Sequence, residues 1–446
     1  MKKWGFFLIL LSAAGLLQAE IIAPAAPSNT QAASKPDEPT PLGADGQPLD
    51  VIYEKLTLQQ CIDLALANSP SVVAAQLGVQ NAQVNVNLAK GQFLPTASAN
   101  FNSAYNMGAS VHDYGTSNVS AGANLSLSAL TDKVRTVNMK QLELDQAQLK
   151  VKSVEQDIVR QVRKKYYVLL AAQRTVDIRT QSRDVYKDQY ERTAEYYRLG
   201  LRPKVDVTTA EVNLNNESLR LIRAQNAVKT ASAALANTLG VTTAAILQVE
   251  EDVSFDTLDL PFEEAVKQAY ENRPDVASSA LDVRLSQLKL SQAKAGLFPT
   301  VSFSAGYTKS GDGLYLDNEN AYLGVSLEIP IFNAFKTYNN IKQAQIASAS
   351  TQNQSRSLLN NVFLEVQNAH IQMVEAAQSI PLAELNVEKA KENMELARGR
   401  YNEGIGDMIS LKDAEAAYTD AQLSLLSARY DYGAAVADLK QAMGTY

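Results

Sequence analysis

Apolar and polar residues alternate along four stretches of the chain, two in each half. This alternation predicts half-apolar strands of about ten residues, because successive side chains of a strand point to opposite faces. Between these stretches the apolar spacing is helical, and residues 132–199 contain neither Gly nor Pro. We predict strands at about 96–106, 117–130, 300–309 and 321–331, long helices at 132–199 and 334–403, and return helices at 205–240 and 408–443.

The second return helix carries the most regular apolar pattern. Its small and large residues step alternately by four and three positions, at Ala414, Tyr418, Ala421, Leu425, Ala428, Tyr432, Ala435, Leu439 and Ala442. This heptad spacing predicts close packing against another helix in a coiled coil. The long helices are expected to extend about 100 Å at 1.5 Å per residue. In the second of them, Pro381 predicts a kink or a local break.

The two halves of the chain are copies of one another at an offset of 204 residues, the separation of Pro70 from Pro274. At the same offset Gly200 corresponds to Gly404, and the Pro-Thr pair at 95–96 corresponds to the pair at 299–300. Each Pro-Thr pair stands where helical spacing gives way to alternation, so it marks a joint between helix and strand. The sequence predicts an internal tandem repeat, with a first repeat at 56–258 and a second at 259–446.

Each repeat is expected to begin with a short amphipathic helix, at 57–68 and at 261–272. Asn68 and Asn272 suit the left-handed residue that ends such a helix. Pro70 and Pro274 suit the first turn of the helix that follows.

Residues 1–19 predict a secretory signal peptide, because Lys2 and Lys3 precede an apolar core and small residues mark a cleavage site. Residues 20–55 are rich in Pro and Ala and predict an extended leader. Glu20 follows the cleavage site, so no lipid-accepting cysteine is expected there. The only cysteine, Cys61, is expected to be a small buried residue. The net charge of −7 argues against a nucleic-acid partner.

No nucleophile–base set, nucleotide-binding loop or paired catalytic motif stands out, so we expect no enzymatic activity and no cofactor. The two histidines, His112 and His370, lack a second ligand at metal spacing, and no metal site is expected.

Four strands with one apolar face cannot close a membrane pore alone, because unpaired strand edges in lipid are prohibitively costly. Several copies of the chain would have to share one barrel. The alternative is a soluble two-layer periplasmic protein that buries one sheet face. That alternative explains each strand, but it explains neither the duplication nor the paired long helices.

From Leu56 to Gly444 the chain resembles the TolC-like outer-membrane efflux proteins. The resemblance rests on the Pro-Thr joints, the Asn-x-Pro junctions and two helical tips, "YYRLGLRPKVDVTTAE" and "RYNEGIGDMISLKDAE". It implies an α+β membrane protein that assembles as a homotrimer in the outer membrane. Each protomer would contribute four strands to a twelve-stranded β-barrel and its helices to a long coiled-coil tunnel in the periplasm.

The function that the resemblance implies is a passive exit duct of a tripartite efflux or type I secretion system. A periplasmic adaptor and an inner-membrane transporter would be its partners and would open a gate at its periplasmic tip. Two other functions remain open, a soluble periplasmic coiled-coil scaffold or adaptor and an ungated diffusion porin.

The resemblance also assigns roles at the two tips. Gly200-Leu201 and Gly404-Ile405 match the turns that contact the adaptor, although a glycine there also suits a simple helix end.

A second set of residues matches the family's gate. Asp206 and Tyr401 correspond to a latch pair in which the aspartate accepts a hydrogen bond from the tyrosine, and Gly406 stands where better-known members have a supporting Arg. Asp413 corresponds to one carboxylate of a ring in the pore, and Ser410 replaces the other. Ser410 and Asp413 also fit an S-x-x-D capping box, and Asp206 could be an N-cap at the equivalent place.

Overall fold

The computed structural model describes residues 55–106, 114–126, 130–241, 246–250, 260–312 and 316–445. The predicted signal peptide (1–19), the predicted leader apart from residue 55, and His112 lie outside the described residues.

Both repeats contain the same elements in the same order. The first has α1 (Leu58–Asn68), α2 (Pro70–Gly91), β1 (Thr96–Asn106), β2 (Tyr114–Ser126), α3 (Leu130–Arg198) and α4 (Lys204–Thr238). The second has α5 (Phe262–Asn272), α6 (Pro274–Ala295), β3 (Thr300–Asp312), β4 (Asn318–Glu328), α7 (Lys336–Asn402) and α8 (Met408–Ala442). The strand β4 ends before Pro330, three residues earlier than predicted, because proline has no amide hydrogen to donate to a ladder.

The junction between the first two helices of each repeat contacts the end of the return helix. Pro70 and Pro274 occupy the first helical turn, as predicted. The prediction that Asn68 and Asn272 adopt a left-handed conformation is wrong. Both residues are the last of their helices, and the residue that follows each of them makes the turn in an extended conformation.

The glycines after the return helices explain why that junction is tight. Gly240 and Gly444 have φ of +71° and +70°. A Cβ on Gly240 would lie 2.8 Å from the carbonyl oxygen of Asn68, and one on Gly444 would lie 2.9 Å from the backbone of Arg273. Both the backbone conformation and the close approach therefore require glycine. In each repeat, the end of the return helix thus packs against the junction between the first two helices of the same repeat.

Equivalent apolar cores hold the helices together in the two repeats. In the first, Tyr166 and Leu169 of α3 pack with Leu235 of α4 and with Cys61 of α1. In the second, Val362 and Val366 of α7 pack with Leu439 of α8 and Ala265 of α5. Cys61 is fully buried, as predicted, and burial raises the pKa of its thiol to about 12.

The long helix α7 continues through Pro381, so the predicted local break there is wrong. The neighbouring helix α8 stays alongside this stretch, and Arg429 of α8 lies 2.9 Å from Glu384 of α7. Packing of this kind maintains a helix across the hydrogen bond that a proline removes.

The four strands form one antiparallel sheet in the order β1-β2-β3-β4. Among the described residues, β1 and β4 each pair on one side only, and the two repeats meet in the sheet through the ladder between β2 and β3.

The register places like residues on like faces across all four strands. One row joins Ala97, Ala123, Ala305 and Leu323, and the adjacent row joins Asn124, Ser304 and Gly324. The apolar face is uncovered, since Leu323, Val325 and Leu327 are 83%, 65% and 61% exposed. Among the described residues, no single helix is long and apolar enough to cross a membrane, although α1 and α2 together, bent by 48°, meet the length and composition test.

Candidate functional site at the helical tips

Each long helix ends in a glycine turn, which we call the first tip turn (residues 199–203) and the second tip turn (403–407). Gly200 and Gly404 both have φ of +75°, and the next residue donates its N–H back into the helix, Leu201 to Tyr196 at 2.8 Å and Ile405 to Arg400 at 3.0 Å. Glycine therefore ends both helices as capping predicts. Leu201 and Ile405 project into solvent, 67% and 70% exposed.

Tyr401 is the buried centre of the second tip. It is 6% exposed and packs with Met408, Leu411 and, from the first repeat, Ala210. Its hydroxyl oxygen has no hydrogen-bond partner among the described residues. The predicted hydrogen bond from Tyr401 to Asp206 is therefore not formed in this conformation.

Arg202 connects the two residues of the predicted latch instead. Its guanidinium carbon lies 4.9 Å from the centroid of the Tyr401 ring, and its Nη1 lies 4.0 Å from a carboxylate oxygen of Asp206. A guanidinium over an aromatic face is attracted by the ring quadrupole. Arg202 thus joins the first tip turn to the second repeat.

Sequence reasoning missed Arg202, although the repeat offset points to it. Adding 204 to 202 gives 406, so Arg202 is the repeat counterpart of Gly406, the position at which the family resemblance places a supporting arginine. At Gly406 a Cβ would lie only 3.1 Å from the backbone nitrogen of Tyr401, which leaves little room for a side chain. The arginine of this chain therefore stands in the first repeat, at Arg202, and not in the second.

The caps of the return helices also differ from the prediction. The helix α8 begins after Asp407, whose side chain accepts hydrogen bonds from the backbone N–H of Ser410 at 2.6 Å and from its hydroxyl at 3.1 Å. Ser410 is therefore a third-position residue rather than the N-cap. These bonds lower the pKa of the Asp407 carboxyl. At the equivalent place α4 follows Pro203, so Asp206 is not its N-cap.

Asp413 lies in the second turn of α8 and takes no part in the cap. Its side chain is 67% exposed, with Lys412 at 3.7 Å. It is therefore accessible to solvent in the single chain. Within the described residues, no group of three or more His, Cys, Asp or Glu side chains could hold a metal ion.

Comparisons with known proteins point to one family. The profile of the family described as outer membrane efflux protein matches residues 61–241 and 265–445, one match in each repeat. The outer membrane protein TolC of Vibrio cholerae is 22% identical over 309 residues, which are 67% of this chain and 70% of that protein.

Solved structures agree at the level of the fold. CusC, whose crystal structures are described as showing the conformational changes that accompany folding and transmembrane channel formation, has a TM-score of 0.78 at 19% identity, and the match covers 92% of this chain and 99% of that one. The CmeC outer membrane channel of Campylobacter jejuni has a TM-score of 0.78 at 16% identity, with 94% of each chain covered.

Proposed function

The chain belongs to the outer membrane efflux protein family and lies in the outer membrane, and we propose that it is the passive, trimeric exit duct of a tripartite efflux or type I secretion system. Its gate is at the periplasmic tip, and an adaptor and an inner-membrane transporter open it. The duct performs no covalent chemistry.

The observation that carries this proposal is the uncovered sheet. Its strands have 11 to 13 residues, enough to cross a bilayer when tilted. One face is apolar in every strand, and the outer strands β1 and β4 have no partner on their outer sides among the described residues. In lipid both edges must be paired, so β4 of one copy pairs with β1 of the next, and with three copies, the number that the family resemblance implies, the barrel has twelve strands.

The helices support a tunnel beneath that barrel. The helices α3 and α7 have 69 and 67 residues, and each packs against its own return helix. Val212 and Leu219 lie seven residues apart on α4 and are 52% and 54% exposed. An uncovered apolar stripe at heptad spacing suits packing against a helix of a neighbouring copy.

The exposed tips support docking of a partner. Leu201 and Ile405 are large apolar residues at the ends of the longest helices, and the described residues leave 67% and 70% of their surfaces exposed. Exposed apolar residues at a defined place often mark a protein contact. We assign these two turns to the adaptor.

The contacts among Arg202, Tyr401 and Asp206 support a gate at the same end. The contact of Arg202 with Tyr401 joins the first repeat to the second beside the tips, so parting the two repeats there breaks it, while Asp206 lies beside the same guanidinium within the first repeat. Three copies of Asp413 around the axis would repel one another and bind cations.

Purification of the full chain from membranes in mild detergent, followed by mass measurement and single-channel recording, tests the proposal. We expect three copies per particle, retention in membranes after a carbonate wash, and a nearly closed channel at rest. A single copy that washes off would indicate a soluble scaffold, and a channel that is always open would indicate a porin. Either result overturns the proposal.

A further inference from the structure

Two glutamates are buried beneath the tips, and their partners differ. Glu217 of α4 is 2% exposed, and its two carboxylate oxygens lie 3.1 Å from Arg179 and 3.2 Å from Arg220. Glu415 of α8 is 6% exposed, and one oxygen lies 3.5 Å from Arg398. Its other oxygen, Oε2, is buried and has no hydrogen-bond partner among the described residues. Glu415 is therefore the less satisfied of the two.

The surroundings of Glu415 are loosely packed. It lines two small cavities of about 100 Å³ and 220 Å³, which lie where α3 meets α7 and α8. Beside it, the side-chain amide of Gln189 in α3 donates to the sulfur of Met408 at 3.0 Å and to no other acceptor in the part of the chain that the structure describes, and a thioether is a weak acceptor. Polar groups between α3 and the second repeat are thus poorly hydrogen-bonded around Glu415.

Every element around these cavities contributes titratable or charged groups. They are Asp188, Arg192, Tyr186 and Tyr196 from α3, Arg398 and Tyr401 from α7, and Tyr418 from α8. Glu217 and Arg220 of α4 and Asp420 of α8 act on Tyr186, as Glu415 does. Burial raises the pKa of Glu415 above its usual value of 4.5, and Arg398 only partly opposes this.

The direction of the pH effect follows from the place of Glu415. Separation of α8 from α3 would let water reach the carboxyl and return its pKa toward 4.5. The packed arrangement therefore binds the proton more tightly than the parted one. Its extra stability is complete below about pH 4.5 and is lost as the pH rises through the pKa of the buried carboxyl.

We propose that Glu415 is a proton-sensitive switch in the gate, in which the neutral carboxylic acid favours the packed, shut arrangement and the carboxylate favours parting of α8 from α3. This inference rests on the proposed function, since it adds a control to that gate. Glu217 is the matched control, because it is buried at the same end and both of its oxygens are paired.

Single-channel recording of the full-length trimer between pH 5 and pH 8 tests the switch in the wild type, Glu415→Gln and Glu217→Gln. We expect the ratio of open to shut states of the wild type to rise with pH, by about tenfold for each unit of pKa difference between the two states. Glu415→Gln should stay at the low ratio throughout, and Glu217→Gln should keep the rise. If the ratio of open to shut states rises with pH in Glu415→Gln as much as in the wild type, the inference is overturned.

Hydrogen exchange separates failure of the switch from failure of the proposed function. Amide exchange in residues 408–420 of the wild type, divided by that of Glu415→Gln at the same pH, removes the intrinsic pH dependence of exchange. We expect this quotient to increase with pH. An increase without gated currents means that the gate fails and the proton-linked packing stands. A flat quotient overturns the switch, even if the channel is gated.

Discussion

The first and second tip turns have the same backbone but different surroundings. Tyr197 and Tyr401 are repeat counterparts, yet Tyr197 is 45% exposed and Tyr401 is 6% exposed. Glu211 and Glu415 are also counterparts, and only Glu415 is buried. Duplication therefore preserved the glycine turn, whose requirement is local, and allowed the side chains to diverge. The second tip became the apolar centre of the contact, and the first tip supplies the arginine that covers it.

The largest expected difference between the two tips concerns these tyrosines. Tyr401→Ala should destabilise the tip by about 3 kcal/mol, because truncation of a buried aromatic side chain leaves a cavity. Tyr197→Ala should change stability by less than about 1 kcal/mol, because its side chain is half exposed. Hydrogen exchange in residues 395–411 measures both. Equal effects would mean that the two tips are equivalent.

The next difference concerns Arg202. Arg202→Ala removes a cation–π contact of about 1 kcal/mol per protomer, which corresponds to about a fivefold rise in the ratio of open to shut states. Arg198→Ala is the matched control, because that side chain is 77% exposed and its one ion pair within the described residues is the local pair with Glu195. Resting conductance should rise in the first variant alone. An unchanged conductance in Arg202→Ala would remove this residue from the gate.

The smallest effect is expected from Tyr401→Phe. The change removes a hydroxyl that has no hydrogen-bond partner among the described residues and keeps the ring beneath Arg202. Resting conductance should therefore stay within about twofold of the wild type, since an unmade hydrogen bond cannot be lost. A large rise would show that Tyr401 reaches Asp206 after all in the assembled channel.

Much of the architecture could be predicted because it follows from periodic patterns. Alternation predicted the strands, and the long stretch without Gly or Pro predicted α3. The repeat offset predicted the equivalence of Gly200 and Gly404. Each of these signals is local, or is repeated within one chain, so no knowledge of packing was needed.

The candidate site was harder to predict, because it depends on contacts between the repeats. The sequence predicted Ser410 as the N-cap of α8, whereas the structure has Asp407 in that place. Both residue types can cap a helix, and only the backbone path of the turn decides which of them does so. The contact of Arg202 with Tyr401 joins residues that are 199 positions apart in the sequence (401 − 202). The poorly paired state of Glu415 depends on which arginines reach it, and the spacing of residues along α8 carries no such information.

The ladder between β2 and β3 has a consequence for how copies can join. Cross-strand partners in all three ladders are odd with odd or even with even, as in Ala123 with Ala305 and Ser304 with Gly324. Within the proposed trimer, the pairing of β4 with β1 of the next copy must obey the same parity. A slip of two residues would keep lipid-facing side chains in lipid, whereas a slip of one would turn Leu323 and Val325 toward water. The pairing of β4 with β1 of the next copy is thus restricted to registers that differ by an even number of residues.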